Sequence, residues 1–181
     1  MTLAAADNEL RGNGAVPEEL LKMDHKAVFT HPDITRNRML LASLDGSTWL
    51  NEHSELSGNM YYRRNKIRTH NGDGSEFEEC SAPNAGLLCE ETITGGEEIL
   101  EDIYGNQIAD DDAFEGGTIN TSETKQHSFG FALQTAFDYQ LFNRDNYLLV
   151  GSSFDRGKVK YKADTELGAL TNNRGVDPSG T

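Results

Sequence analysis

The residues with the most reactive side chains lie in one internal segment of the chain. Its two cysteines, Cys80 and Cys89, are separated by eight residues, which is too long for a CxxC redox or zinc pair. Pro83, Asn84 and Gly86 between them favour a turn. We therefore expect a disulfide that closes a small loop, which implies an oxidising compartment. The alternative is a pair of free thiols in a cytosolic loop.

The same segment contains carboxylates that could bind a cation. Asp110, Asp111 and Asp112 with Glu115 offer the oxygen ligands that calcium prefers. They lack the regular D-x-D-x-D-G spacing of a calcium loop, so a solvated acidic turn is the competing interpretation. Residues 69–124 contain 15 Asp and Glu and no Lys or Arg, which accounts for nearly all of the net charge of −14. This charge disfavours nucleic-acid binding, which needs a basic surface.

Catalytic motifs with specific spacing are absent from the sequence. It contains no GxSxG, HExxH, P-loop or GxGxxG pattern. The five histidines are scattered, and we interpret each as a surface or turn residue: His25, His31, His53, His70 and His127. The sequence therefore predicts a protein that is not an enzyme and has no resident cofactor.

The elements that must position these residues are strands with a two-residue period. Alternation of apolar and polar residues predicts strands at about 35–50, 54–67, 125–141 and 146–161. Short turns at Asn51–His53 and Phe142–Asp145 join them into two long hairpins. The acidic segment, residues 68–124, is predicted as a long loop between the hairpins, with a weak strand near residues 98–104. Residues 1–34 are predicted to be irregular, apart from one or two helical turns after Pro17.

Apolar side chains share one face of the predicted hairpins, and Ser, Asn, Asp and Gly dominate the other. The residues expected on the apolar, lipid-facing side are Leu40, Leu44, Leu56, Met60, Phe129, Phe131, Leu133, Phe137, Tyr139, Leu148, Val150 and Phe154. Four aromatic residues near the predicted strand ends suit a lipid interface: Trp49, Tyr61, Tyr62 and Phe142.

Short turns at one edge, long loops at the other and this alternation are typical of an outer-membrane β-barrel. The predicted fold class is all-β: an antiparallel transmembrane β-barrel segment of two long hairpins joined by an acidic extracellular loop. Four strands cannot close a barrel, so we expect a partial barrel domain over residues 1–181. Period two alone does not exclude a soluble or surface-displayed β-sandwich that serves as a binding or adhesion module.

Short motifs in a consistent order add a family resemblance. They are Arg11-Gly12-Asn13-Gly14, Pro17-x-x-Leu20-Leu21, Ala27-Val28-Phe29-Thr30-x-Pro32-Asp33-x-Thr35-x-Asn37, Leu56-Ser57-Gly58-Asn59-x-Tyr61-Tyr62-Arg63, Asn71-Gly72-Asp73, Gln126–Tyr139 and Val150-Gly151-Ser152-Ser153-Phe154-Asp155. Over about two thirds of its length the chain resembles the barrel portion of TonB-dependent outer-membrane receptors.

The resemblance implies a role in transport across the outer membrane of a Gram-negative bacterium. In that family a barrel of about 22 strands encloses a plug, on which the periplasmic TonB energy-coupling protein pulls. The implied function is energy-coupled uptake of a scarce nutrient such as a ferric siderophore. The implied partners are outer-membrane lipid, the remaining barrel strands, the plug, TonB through that plug, and a small-molecule ligand. Because the plug and most strands are missing, we expect this chain alone not to be transport-competent.

Overall fold

The computed structural model describes residues 1–12, 14–110 and 116–180, and it is all-β, with 70% of residues in strands and 3% in helix. The strands are β1 (Thr2–Arg11), β2 (Asp33–Asn51), β3 (Ser54–Gly74), β4 (Glu78–Glu79), β5 (Leu88–Glu91), β6 (Glu97–Ile99), β7 (Gly116–Leu141), β8 (Arg144–Leu170) and β9 (Val176–Pro178). A short helix, α1 (Glu18–Met23), follows Pro17.

Two antiparallel sheets contain these strands. The larger sheet has the order β1-β2-β3-β7-β8-β9, and the smaller has the order β4-β5-β6. The four predicted strands lie within β2, β3, β7 and β8, each of which extends beyond its predicted bounds. The prediction of an all-β antiparallel fold is therefore confirmed.

Both hairpin turns have local sequence causes. Phe142 and Asn143 have φ angles of 55° and 59°, the positive values that a two-residue type I′ hairpin turn requires at both central positions. At the other turn, the Asn51 side-chain oxygen accepts a hydrogen bond from the His53 backbone N–H at 2.9 Å. Such side chain–backbone bonds are why Asn is common in turns. The strands therefore reverse where the sequence predicts.

Two parts of the sequence prediction were wrong. Residues 1–34 are not irregular throughout, because β1 pairs with β2. This pairing supplies hydrogen-bond partners for the β1 backbone, although the Ala-rich sequence of β1 does not favour a strand. Residues 68–124 are not a plain loop. Along the chain, β3 continues to Gly74, the three short strands of the small sheet follow, and β7 begins at Gly116. In place of a weak strand at 98–104, β6 spans Glu97–Ile99.

The chain divides into two compact units. The first comprises Met1–Asn8, Arg36–Arg68 and Glu123–Lys162, and the second comprises Glu9–Thr35, Thr69–Ser122 and Ala163–Thr181. Among the described residues, the buried apolar side chains belong to the second unit: Cys80, Leu88, Cys89, Ile119, Leu167 and Val176. The buried side chains of the first unit, Ser54 and Ser128, are polar. The first unit thus has a sheet without an apolar core.

Candidate functional site

The first unit carries a continuous apolar face on its four long strands. Of the predicted lipid-facing residues, Leu56 and Phe137 are half-buried. The others are 43–58% exposed: Leu40, Leu44, Met60, Phe129, Phe131, Leu133, Tyr139, Leu148, Val150 and Phe154. Half exposure is what a side chain keeps when its neighbours on the sheet cover its flanks and nothing covers its outward side.

Direct contacts show that these side chains share one face. The ring centroid of Phe154 on β8 lies 6.1 Å from that of Phe129 and 5.9 Å from that of Phe131, both on β7. On β3, a Cβ atom added to Gly58 would lie 2.7 Å from Cδ2 of Leu133. Gly58 therefore leaves the space that the Leu133 side chain fills.

The opposite face of the same sheet is polar. The Tyr61 hydroxyl donates a hydrogen bond to the Asp155 carboxylate at 2.7 Å, from β3 to β8 across β7. Gly130 on β7 makes this possible, because a Cβ atom there would lie 2.7 Å from Cε1 of Tyr61 and would also overlap the Asp155 carboxylate. Tyr62, the next residue along β3, points to the apolar face, where its hydroxyl lies 3.2 Å from Nδ1 of His127. The two predicted interface tyrosines thus lie on opposite faces.

Aromatic residues also cluster near the hairpin turns. The Tyr139 hydroxyl lies 3.1 Å from the hydroxyl of Ser54, and its ring centroid is 5.5 Å from that of His53. Trp49 is 66% exposed, and Phe142 at the tip of its hairpin is 98% exposed. The two predicted interface residues at this edge therefore lie largely outside any packed environment.

At the other edge of the first unit, Glu123 on β7 is surrounded by cations. Its carboxylate lies 2.9 Å from the Lys66 ammonium and 2.7 Å from the Arg68 guanidinium, and it also contacts Lys125. Hydrogen bonds from Lys125, Lys66 and Arg68, in that order, hold the pKa of Glu123 well below its usual range. No sequence-based prediction included this cluster, although cations recur at every second residue near the ends of the predicted strands.

The acidic segment contains a local disulfide, as predicted. Cys80 and Cys89 are bonded with an Sγ–Sγ distance of 2.02 Å, and Cys89 lies on β5, the central strand of the small sheet. Its neighbour Leu88 has no exposed surface. The Ser81 backbone N–H and hydroxyl donate to the Glu97 carboxylate at 2.8 Å and 2.6 Å, which lowers the pKa of Glu97.

The carboxylates of this segment stabilise turns. Asp102 accepts hydrogen bonds from the backbone N–H groups of Tyr104 and Asn106 and from the Asn106 side chain, at 2.8–2.9 Å. These bonds, led by that of the Asn106 side chain, lower the pKa of Asp102. Asp102 therefore acts as the cap of a tight turn.

The candidate cation site falls mostly outside the described residues. Asp111, Asp112 and Glu115 lie outside them, and Asp110 donates its backbone N–H to the Gly86 carbonyl at 3.1 Å. In the described ranges, no group of three or more His, Cys, Asp or Glu residues has a geometry that could hold a metal ion.

No family model matches the chain, and no curated protein is similar to it. Within the described part of the chain, no helix is long and apolar enough to cross a membrane.

Proposed function

We propose that the chain is a segment of the β-barrel of a TonB-dependent outer-membrane receptor, which takes up a scarce nutrient such as a ferric siderophore. The observation that carries the proposal is the two-faced sheet of the first unit. Its apolar residues face outward without a packing partner, and its polar residues form hydrogen bonds on the opposite face. A soluble protein rarely exposes so many contiguous apolar side chains.

The length of the apolar face along the strands supports the proposal that this face lies in a membrane. Along β7 the apolar side runs from Phe129 to Leu141, which is roughly 40 Å of extended strand. A strand tilt of about 40–45° reduces this to about 30 Å along the membrane normal, close to the thickness of the hydrocarbon core. A bilayer could therefore cover the whole face.

The number of strands supports a segment of a larger barrel. The main sheet has six strands in the order given above, whereas bacterial outer-membrane barrels have at least about eight strands. The remaining strands and the plug would come from other parts of the receptor. On this proposal the hairpin turns face the periplasm, and the disulfide-closed small sheet belongs to an extracellular loop, where oxidation is expected.

Tryptophan fluorescence tests the proposal directly. Trp49 is the single tryptophan, so a Trp49→Phe background allows one reporter at a time. In vesicles, Phe131→Trp on the apolar face should be quenched strongly by brominated lipid and weakly by aqueous acrylamide. Gln134→Trp on the polar face of the same strand is the matched control and should show the reverse.

The alternative sandwich module makes a different prediction. A soluble module would stay in water without lipid, and the reporter in its Phe131→Trp variant would be shielded from both quenchers by a second layer. A chain that is monomeric in buffer and ignores vesicles would therefore overturn the membrane proposal.

A further inference from the structure

Two turns of the acidic segment are built in the same way. They span residues 92–96 and 102–106, whose sequences are T-I-T-G-G and D-I-Y-G-N. In each turn the first residue donates its backbone N–H to the carbonyl of the fifth. Its own carbonyl accepts a hydrogen bond from the fourth residue, a glycine with a φ angle of 78° or 83°. The strand β6 and the two residues after it connect the turns, so the segment repeats one turn design.

Each turn holds an isoleucine at its tip, where the fold does not need one. Ile93 and Ile103 both occupy the second position of their turns; Ile93 is fully exposed and Ile103 is 90% exposed. Tyr104, beside Ile103, is 83% exposed. Turn positions favour Gly, Pro, Asn, Asp and Ser, which stabilise the turn itself, whereas an exposed isoleucine adds no such stabilisation. Packing within the small sheet therefore does not explain these three side chains, which we call the tip residues.

Side chains that cap the turns hold the tip residues in place. The Asp102 carboxylate accepts hydrogen bonds from the backbone N–H groups of Tyr104 and Asn106, and the Thr92 hydroxyl accepts one from the Gly96 N–H at 3.0 Å. The disulfide described above fixes β5, the strand that leads into the first turn. Groups that are ordered before binding lose less conformational entropy in a complex. The tip residues are therefore preorganised for contact with a partner.

The strands beside the tips carry negative charge that this segment does not neutralise. In the register of β5 and β6, Glu90 lies directly opposite Glu98, and Glu91 lies directly opposite Glu97. Like charges at directly opposed positions destabilise a sheet. Residues 69–124 contain no Lys or Arg, and among the residues that the structure describes no cation pairs with Glu90, Glu91 or Glu98. A cationic partner would relieve this repulsion.

We propose that the tips of the small sheet dock a basic polypeptide whose own apolar side chains receive the tip residues. A few well-packed apolar anchors supply most of the binding energy of a protein interface, and tyrosine is among the commonest of them. Opposite charge around the anchors speeds encounter and excludes wrong partners. The proposal concerns the second unit alone and goes beyond the proposed membrane function.

Both turns lie within the span of one interface. The connecting residues, 97–101, separate the turns by roughly 17 Å of extended strand. An interface of ordinary size covers about 800 Å² on each partner, which is wide enough to include both turns. One partner can therefore use both isoleucines.

A lipid surface is a less suitable partner for the tips. Exposed isoleucines can enter a bilayer, but Glu91 precedes the first turn and Glu101 precedes the second. Anionic head groups would repel these carboxylates. The charge of the acidic segment therefore favours a basic protein over a membrane.

Peptide binding to the full chain tests the proposal. The probe is a short labelled peptide of alternating lysine and leucine, and its matched controls replace every leucine by serine or every lysine by glutamate. The test variant, I93S/I103S, leaves the residues that cap the two turns unchanged. The control variant, L21S/M23S, removes two exposed apolar side chains from α1. Fluorescence anisotropy measures the affinity of each variant for each peptide.

The expected result is a selective loss of affinity for the lysine–leucine peptide. At ~0.1 M salt the I93S/I103S variant should bind it about tenfold more weakly than the control variant, because both anchors are lost. The unmodified chain should bind the serine and glutamate peptides at least about tenfold more weakly than the lysine–leucine peptide.

A second pair of variants separates the role of charge from fold stability. E90Q/E98Q should weaken binding of the lysine–leucine peptide about threefold at low salt, and the difference should shrink at ~1 M salt. The same variant should slow hydrogen exchange at β5, because the opposed charges are gone. E18Q/E19Q removes the same charge from α1 and should change neither quantity.

Three outcomes would overturn the proposal. Equal affinity of I93S/I103S and L21S/M23S for the peptide would mean that the tips do not dock it. Equally tight binding of the glutamate peptide by the unmodified chain would mean that charge does not select the partner. If I93S/I103S instead loses binding to phosphatidylcholine vesicles and keeps its affinity for the peptide, the tips contact lipid. The quenching experiment on the apolar face is unaffected by these outcomes, so failure of this proposal and failure of the membrane proposal are distinguishable.

Discussion

Apolar side chains are exposed on the apolar face of the first unit, whereas they are buried in the small sheet of the acidic segment. Phe131 on β7 is 48% exposed, whereas Leu88 on β5 has no exposed surface. The small sheet gains its order from a disulfide, a buried leucine and capped turns. The long strands are held together by backbone pairing, and their apolar face is half exposed. The two regions are therefore stabilised by different interactions and should respond to different perturbations.

The largest effect should come from a charge on the apolar face. Leu133→Arg in a bilayer should destabilise the inserted chain by about 2–4 kcal/mol, because this residue lies near the middle of the apolar face. Gln134→Arg, one residue along β7 on the polar face, should cost far less. Urea unfolding in vesicles measures the loss of unfolding free energy in both variants. Equal losses would mean that the two faces of the sheet are in the same solvent environment.

Removing the disulfide should affect the other region alone. C80S/C89S opens a loop with a sequence separation of nine, which should cost the local sheet about 2–3 kcal/mol. Hydrogen exchange should accelerate at Leu88–Glu91 and stay unchanged at the centre of β7. Faster exchange both at Leu88–Glu91 and at the centre of β7 would show that the small sheet and the long strands unfold together. The two regions would then not be stabilised independently.

Adding a methyl group under Tyr61 should have a smaller effect within the first unit. Gly130→Ala pushes against the Tyr61 ring and Asp155 and should cost about 1–3 kcal/mol. Gly157→Ala is the control, since an added Cβ there meets nothing within 4 Å. A similar melting temperature for both variants would mean that the Tyr61–Asp155 contact adapts freely.

The smallest effect concerns pH and the small sheet. The Ser81 hydrogen bonds lower the pKa of Glu97 below its ordinary value of 4.5. The stability that the charged Glu97 adds to the small sheet is therefore complete above pH 4.5 and is lost as the pH falls through the lower folded-state pKa. Exchange of the Ser81 amide should therefore rise below about pH 4.5, after correction for intrinsic rates. Glu97→Gln should remove this dependence, and a persistent pH profile would assign it to another carboxyl group.

The sequence predicts some of these features well, for physical reasons. Two-residue alternation reveals β7 and its hairpin partner because the side chains on one face of these strands are mostly apolar and those on the other mostly polar. Cys80 and Cys89 flank a turn, so their pairing is local. By contrast, β1 depends on β2, a partner distant in sequence, and no local pattern predicts such pairing. The strand β5 pairs with its neighbours β4 and β6, but these three strands have only four, two and three residues, which is too short for a two-residue alternation to be recognised.

The cations beside the apolar face are harder to predict from the sequence than the apolar face itself. A charge count over residues 1–68 and 125–181 averages these cations with acidic residues elsewhere. Only the strand register places Arg64 on the face of Tyr62 and Arg63 on the opposite face.

The absence of Lys and Arg from residues 69–124 also has a consequence for digestion. A protease that cuts after basic residues finds no bond inside the segment that contains the small sheet. Such an enzyme would release this segment at most as one peptide, residues 69–125. A protease that cuts after Glu has many sites there but none between Cys80 and Cys89, so the linked ring would survive as a marker fragment.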